Sequence, residues 1–149
     1  MSTLTVLTLV PNARDSLARC LESVRWAEDL FCVVDPNATD GSDQVARRHT
    51  DHVVVHEYLN AAAQRNWAIP QIHTEWTLVL DADEWLSEPL AARIREIVHS
   101  KASEDGYAIR RLSYFMGRLM KGCGWQRDYP LRLFRTCKGR YLDKRVHSR

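Results

Sequence analysis

Residues 76–85 read WTLVLDADEW. The run Thr77–Leu80 leads without a polar break into Asp81, Asp83 and Glu84. A continuous apolar run is the pattern of a strand covered on both faces, as in a parallel sheet between helices. The three carboxylates that follow repel, and each raises its neighbours' pKa unless positive charge lies between them. A divalent cation is the expected neutraliser. Mg2+ takes one or two protein carboxylates and completes its octahedron with phosphate and water oxygens, and Mn2+ favours similar ligands. A D-x-D pair alone is weak, because a chain this rich in Asp is expected to hold such a pair by chance, and the alternative is that Asp81 and Asp83 cap the turn after the strand. Its position carries more weight, since open α/β sheets bind ligands beyond the carboxyl ends of their strands.

The flanking sequence supplies the sheet. Leu4–Val10 (LTVLTLV) reads as a first strand broken by Pro11-Asn12, and Leu30–Asp35 (LFCVVD) as a second broken by Pro36-Asn37. Leu17, Cys20, Leu21 and Val24 recur at helical spacing over about Asp15–Trp26. A second helix is expected from Thr39 or Asp40 to His49, a third strand over His52–His56 and a third helix over Asn60–Ile69. The fourth strand is Trp76–Asp81, and Ser87-Glu88-Pro89 opens a helix whose buried face is Leu90, Ile94, Ile97 and Val98. This alternation predicts an α/β fold, a mostly parallel sheet with helices on both faces. After Asp105-Gly106 the pattern changes: Tyr107–Leu112 and Pro130–Arg135 are strands with no helix between, hence antiparallel additions in the C-terminal third.

The 149 residues, 45% hydrophobic and 27% charged, suit one globular domain burying roughly two-thirds of its unfolded surface. No apolar run reaches the ~18 residues of a membrane span, and no signal peptide opens the chain. Cys20 and Cys32 sit in apolar patterns and none of the four cysteines has C-x-x-C spacing, which favours reduced core thiols in a cytoplasmic protein over disulfides or zinc. The net charge of +2 hides a division. Residues 1–106 hold 9 Lys/Arg against 17 Asp/Glu, net −8, while residues 107–149 hold 12 against 2, net +10. The basic part is expected to meet anions, either phosphates or a membrane surface. Nucleic acid is disfavoured, because no recognition motif is present and the acidic body would repel a duplex.

Together, RCLESVRWAEDLFCVVDPNATDGS (19–42), AQRNWAI (63–69), WTLVLDADEWL (76–86) and GWQRDYPLRLFR (124–135) resemble glycosyltransferase family 2, in particular its bacterial branch acting on the lipopolysaccharide core. The resemblance implies the GT-A fold, with residues 1–106 as the nucleotide-sugar-binding half and 107–149 as a basic acceptor and catalytic part. It implies a nucleotide-diphosphate-sugar donor, a UDP-sugar being favoured, Mg2+ or Mn2+ as cofactor, and a saccharide or glycolipid acceptor. Asn12, Asp35, Arg65 and Asp81 match donor-binding positions, Asp83 and His147 match metal positions, and Asp128 matches the catalytic base. Arg132 and Arg135 are candidates for binding diphosphate or acceptor phosphate, and Trp85, Trp125 and Tyr129 for stacking on a sugar. The chain departs from the family at Ala13, where Glu is usual, and at Pro36-Asn37-Ala38, where a Ser/Gly-rich loop is usual. Relatives of this kind are longer, so the acceptor side is expected to be shortened. Peripheral membrane contact and a homodimer are further expectations. The resulting reading is an inverting, metal-dependent glycosyltransferase, and its alternative a catalytically silent binding module. A nucleotidyltransferase would need a glycine-rich loop that LVPNARDSL (9–17) lacks.

Overall fold

The computed structural model describes residues 2–101, 103–109, 114–115, 118–119 and 131–141. Its first half alternates strand and helix: β1 (Leu4–Val10), α1 (Arg14–Glu22), β2 (Asp29–Val34), α2 (Ser42–His49), β3 (Val53–Val55), α3 (Ala61–Ala68), β4 (Trp76–Val79) and α4 (Glu88–His99). Four strands follow: β5 (Gly106–Ala108), β6 (Tyr114–Phe115), β7 (Arg118–Leu119) and β8 (Leu131–Arg135). The main sheet has the order β3-β2-β1-β4-β8-β5, and β6 and β7 form a separate antiparallel pair. β1 runs parallel to β2 and β4, and β2 parallel to β3. β8 lies antiparallel between β4 and β5, as expected for the C-terminal additions.

Strand side chains alternate between two cores, the period-2 consequence of the pleat. Leu4, Val6 and Val10, with Leu30, Cys32, Val34, Trp76 and Leu78, pack under α1, α2 and α4. Leu7, Phe31, Val33, Val79 and Phe134 face α3 and the 3-10 turn Ile69–Gln71. That turn follows α3 directly, because Pro70 cannot continue the α-helical ladder.

Several boundaries differ from those read in the sequence, each for a local reason. α1 stops at Glu22, four residues before Trp26. The Ser23 hydroxyl donates to Cys20 O at 2.7 Å, and this side-chain competition replaces further helical turns. α2 starts at Ser42 because Gly41 takes φ 89° and the Asp40 carboxylate accepts the Ser42 N–H at 3.0 Å. Only a residue tolerant of the left-handed region sits easily there. β4 ends at Val79 because Asp81 opens a closed turn, its N–H donating to Glu84 Oε1 at 2.8 Å and its carbonyl accepting from Glu84 N–H at 2.9 Å. In α4, Ala91 joins Ile94 and Val98 in the buried stripe, whereas Leu90 and Ile97 are only partly buried.

Candidate functional site

The order in which strands are added reverses at β1: β2 and β3 lie to one side, and β4 follows on the other. Such switch points open a crevice at the strand ends. Here it is a cavity of about 470 Å³, walled by Val10–Ala13 after β1, Val33 and Asp35 of β2, Gln64 and Arg65 of α3, and Asp81–Asp83 after β4. That volume lies within the range of small-molecule sites. Five residues singled out in the sequence, Asn12, Asp35, Arg65, Asp81 and Asp83, line this one cavity. Asp128 and His147, with Trp125 and Tyr129, lie outside the described residues.

Each wall has a local cause. Asn12 Oδ1 accepts the N–H groups of Thr39 (2.8 Å) and Asp40 (3.3 Å), pinning the entry of α2 to the end of β1. In return, Ser42 Oγ accepts the Ala13 N–H at 2.8 Å and Asp40 the Arg14 N–H at 3.0 Å. The bare N-terminus of α1 is thus capped from α2, and Asp40 is structural. The Ser42 hydroxyl and the Arg14 N–H hold the Asp40 carboxyl below its ordinary range. Asp35 accepts the Asn37 N–H at 2.9 Å, forming a turn on Pro36, and makes no ion pair among the described residues.

The helix α3 explains AQRN residue by residue. Asn60 caps it, accepting the Ala63 N–H at 2.8 Å. Gln64 Nε2 donates to His56 O at 3.0 Å, and its Oε1 lies 2.6 Å from His56 Nδ1, while His56 stacks on Trp67. Asn66 makes two bonds with the backbone of Tyr141, Nδ2 donating to its carbonyl at 2.6 Å and Oδ1 accepting its N–H at 2.7 Å. Between them Arg65, 6% exposed, donates to Asp81 Oδ1 at 2.9 Å with its guanidinium over the Tyr141 ring.

Asp81 corrects the reading of the acidic cluster. Its second oxygen is met by Arg132 Nη2 at 3.3 Å, and Arg132 also engages Glu84 at 3.2 and 3.3 Å. Arg65 and Arg132 thus bring positive charge against the repelling pair Asp81 and Glu84. Arg132 is therefore no free phosphate ligand: it is 8% exposed. Burial opposes its charge, but the carboxylates of Asp81 and Glu84 outweigh that and hold its pKa above the ordinary value. Arg135 likewise pairs with Glu75 and Asp105. Its place in LRLFR offered no sign of burial for Arg132, because that depends on β8 being an inner strand.

Asp83 differs from both neighbours. It is exposed, lines the cavity, and has no hydrogen-bond or ion-pair partner among the described residues. No group of three or more His, Cys, Asp or Glu side chains is gathered for a metal among those residues. One open carboxylate beside a cavity suits a cation that takes its remaining oxygens from substrate phosphate and water, so the donor set fits Mg2+ or Mn2+. Trp85 lies outside the cavity, 44% exposed, with the Arg19 guanidinium 4.0 Å over its ring. Cys20 and Cys32 are free and buried, as expected of core thiols.

Residues 5–136 match the family described as Glycosyl transferase family 2. The chain is 27% identical over 143 residues to the lipopolysaccharide core biosynthesis glycosyltransferase LpsC of Rhizobium meliloti, covering 92% of this chain and 53% of LpsC. It thus spans about half the length of that relative. In fold it is similar to the mannosyltransferase PcManGT of Pyrobaculum calidifontis in complex with GDP-Man and Mn2+ (TM-score 0.56, 20% identity, 72% of this chain and 35% of that one). It is also similar to a 4-diphosphocytidyl-2C-methyl-D-erythritol synthase (TM-score 0.60, 16% identity, 91% of this chain and 75% of that one). No helix among the described residues is long and apolar enough to cross a membrane.

Proposed function

The chain belongs to glycosyltransferase family 2, and from that premise we propose that it transfers a sugar from a nucleoside-diphosphate donor to a saccharide hydroxyl with inversion. The observation that carries this reading is the convergence of Asn12, Asp35, Arg65, Asp81 and Asp83 on one strand-end cavity. Asp35, without an ion-pair partner among the described residues, accepts hydrogen bonds from the nucleobase or ribose. Asp81, paired with Arg65 and Arg132, receives the ribose side, and Asn12 and Arg65 shape the wall around it. Asp83 and His147 would hold a divalent cation, which would supply Lewis-acid stabilisation for the departing diphosphate.

Asp128 takes the proton of the acceptor hydroxyl as that oxygen attacks the anomeric carbon. The bond from that carbon to the diphosphate oxygen breaks, and nucleoside diphosphate leaves from the opposite face. A saccharide of the lipopolysaccharide core is the acceptor class that the likeness to LpsC supports. The net +10 of residues 107–149 suits contact with an anionic glycolipid surface.

Incubating the protein with UDP- and GDP-sugars, Mn2+ and a core oligosaccharide tests the reading by the product released. Glycosyl transfer liberates nucleoside diphosphate, and Asp128→Asn should remove it by about 10²–10⁴-fold. Release of pyrophosphate from a nucleoside triphosphate would instead favour a nucleotidyltransferase. Nucleotide binding without any release would mark a silent binding module.

A further inference from the structure

Among the described residues no hydrogen bond or ion pair holds the Asp83 carboxylate in place, yet the reading above requires it to face the cavity. Its position is set by the turn on which it rides. That turn is closed at its base by Asp81 N–H donating to Glu84 Oε1 (2.8 Å) and Glu84 N–H donating to Asp81 O (2.9 Å). Closing it brings two carboxylates together on the α3 side of the sheet, where they repel. One side chain spans both: Arg132 places Nη2 at 3.3 Å from Asp81 Oδ2 and from Glu84 Oε2, and Nη1 at 3.2 Å from Glu84 Oε1. Its Nη1 also reaches Val79 O, the last residue of β4, at 3.5 Å.

We propose that Arg132, delivered by the antiparallel strand β8, is a positioning residue that ties Asp81 to Glu84 and thereby aims Asp83 into the donor cavity. The inference rests on the glycosyltransferase reading and adds a residue from the acceptor half of the chain to the machinery of the donor half. A lysine cannot replace it, because a single ammonium lacks the planar fork that serves two carboxylates at once. Arg65 does not duplicate it: Arg65 meets Asp81 Oδ1 from the opposite side, and the structure records no bond from it to Glu84.

The test separates positioning from simple support. Full-length protein and Arg132→Lys are titrated with UDP and with GDP by calorimetry, with Mn2+ and with EDTA, and thermal melts record folding. The double variant Glu84→Gln/Arg132→Met, in which Asp81 keeps its pair with Arg65, serves if the single variant fails to fold. The wild type should bind one of the probes more tightly with Mn2+. Arg132→Lys and the double variant should keep the metal-free affinity within about twofold but lose the Mn2+ enhancement by about tenfold or more, the range for losing a group that orients a metal ligand. A folded variant that keeps the full enhancement would overturn the proposal, whatever its melting temperature. If wild-type protein binds neither nucleotide under either condition, the donor-site reading falls, and this inference with it.

Discussion

β2 and β4 end alike in sequence, each an apolar run closed by aspartate, and they end differently in space. Asp35 after β2 accepts a backbone N–H from its own turn and has no ion-pair partner among the described residues. Asp81 after β4 is clasped by Arg65 from α3 and Arg132 from β8. The neighbours explain the difference. Beyond β2 lies only the short edge strand β3, whereas β4 is flanked by β1 and β8. A strand-terminal carboxylate is thus left open or drawn into ion pairs according to what the next strand brings beside it.

Substitution at the two ends should break them apart. Asp81→Ala takes from Arg65, its side chain 7% exposed, the carboxylate it pairs with, and leaves Arg132, 9% exposed, with Glu84 alone. Removing one partner of a buried pair typically costs about 3–5 kcal/mol, so urea denaturation should show a loss of that order. A loss below about 1 kcal/mol would mean that water compensates the arginines and that Asp81 resembles Asp35 after all.

The apex of the β4 turn should behave in the opposite sense. Asp83→Ala removes an exposed group without partners, so stability should stay within about 0.5 kcal/mol. Mn2+-dependent nucleotide binding should nevertheless disappear. Calorimetry with and without EDTA checks this, and persistence of the Mn2+ effect would reassign the metal position.

Asp35→Ala should give a smaller change of a third kind. Losing the bond to Asn37 costs about 1 kcal/mol of stability, and losing a charged acceptor costs about 1.5–3 kcal/mol of nucleotide affinity, equally with and without Mn2+. If the loss appears only with Mn2+, Asp35 belongs with the metal and not with the base or ribose.

The thiols beneath the two ends have no effect at neutral pH and act only in alkali. Cys32 belongs to β2, and Cys20 donates to Asp81 O at 3.4 Å. Burial pushes both thiols from 9.0 up to about 12. Above about pH 9 the unfolded chain releases these protons while the folded chain keeps them. Stability is therefore unaffected below pH 9 and should fall as pH rises towards 12. Peptide mapping after alkylation should find exposed Cys137 modified in the native protein and Cys20 and Cys32 only on unfolding.

The parallel half was legible because its signals are local. Apolar runs of four to seven residues, breaks at Pro11 and Pro36, and caps at Asn60 and Ser87 each act within a few positions. Helix ends were less legible where a side chain competed with the backbone, as Ser23 does with α1, or where Gly41 rather than Thr39 or Asp40 started α2. The cap of α1 could not be read at all, since it comes from Ser42 and Asp40, more than 25 positions away.

By itself the sequence determined the alternation of strand and helix, the antiparallel C-terminal strands and the placing of polar residues at the ends of β1, β2 and β4. Backbone dihedrals and side-chain periodicity act at short range, and periods of 2 and 3.6 survive in a single chain. Only the tertiary structure decided which charges would be left for a ligand. The state of a carboxylate depends on what lies within about 4 Å. For Asp81 and Glu84 that partner is Arg132, at least 48 residues further along, and the order of strands in the sheet brings it there.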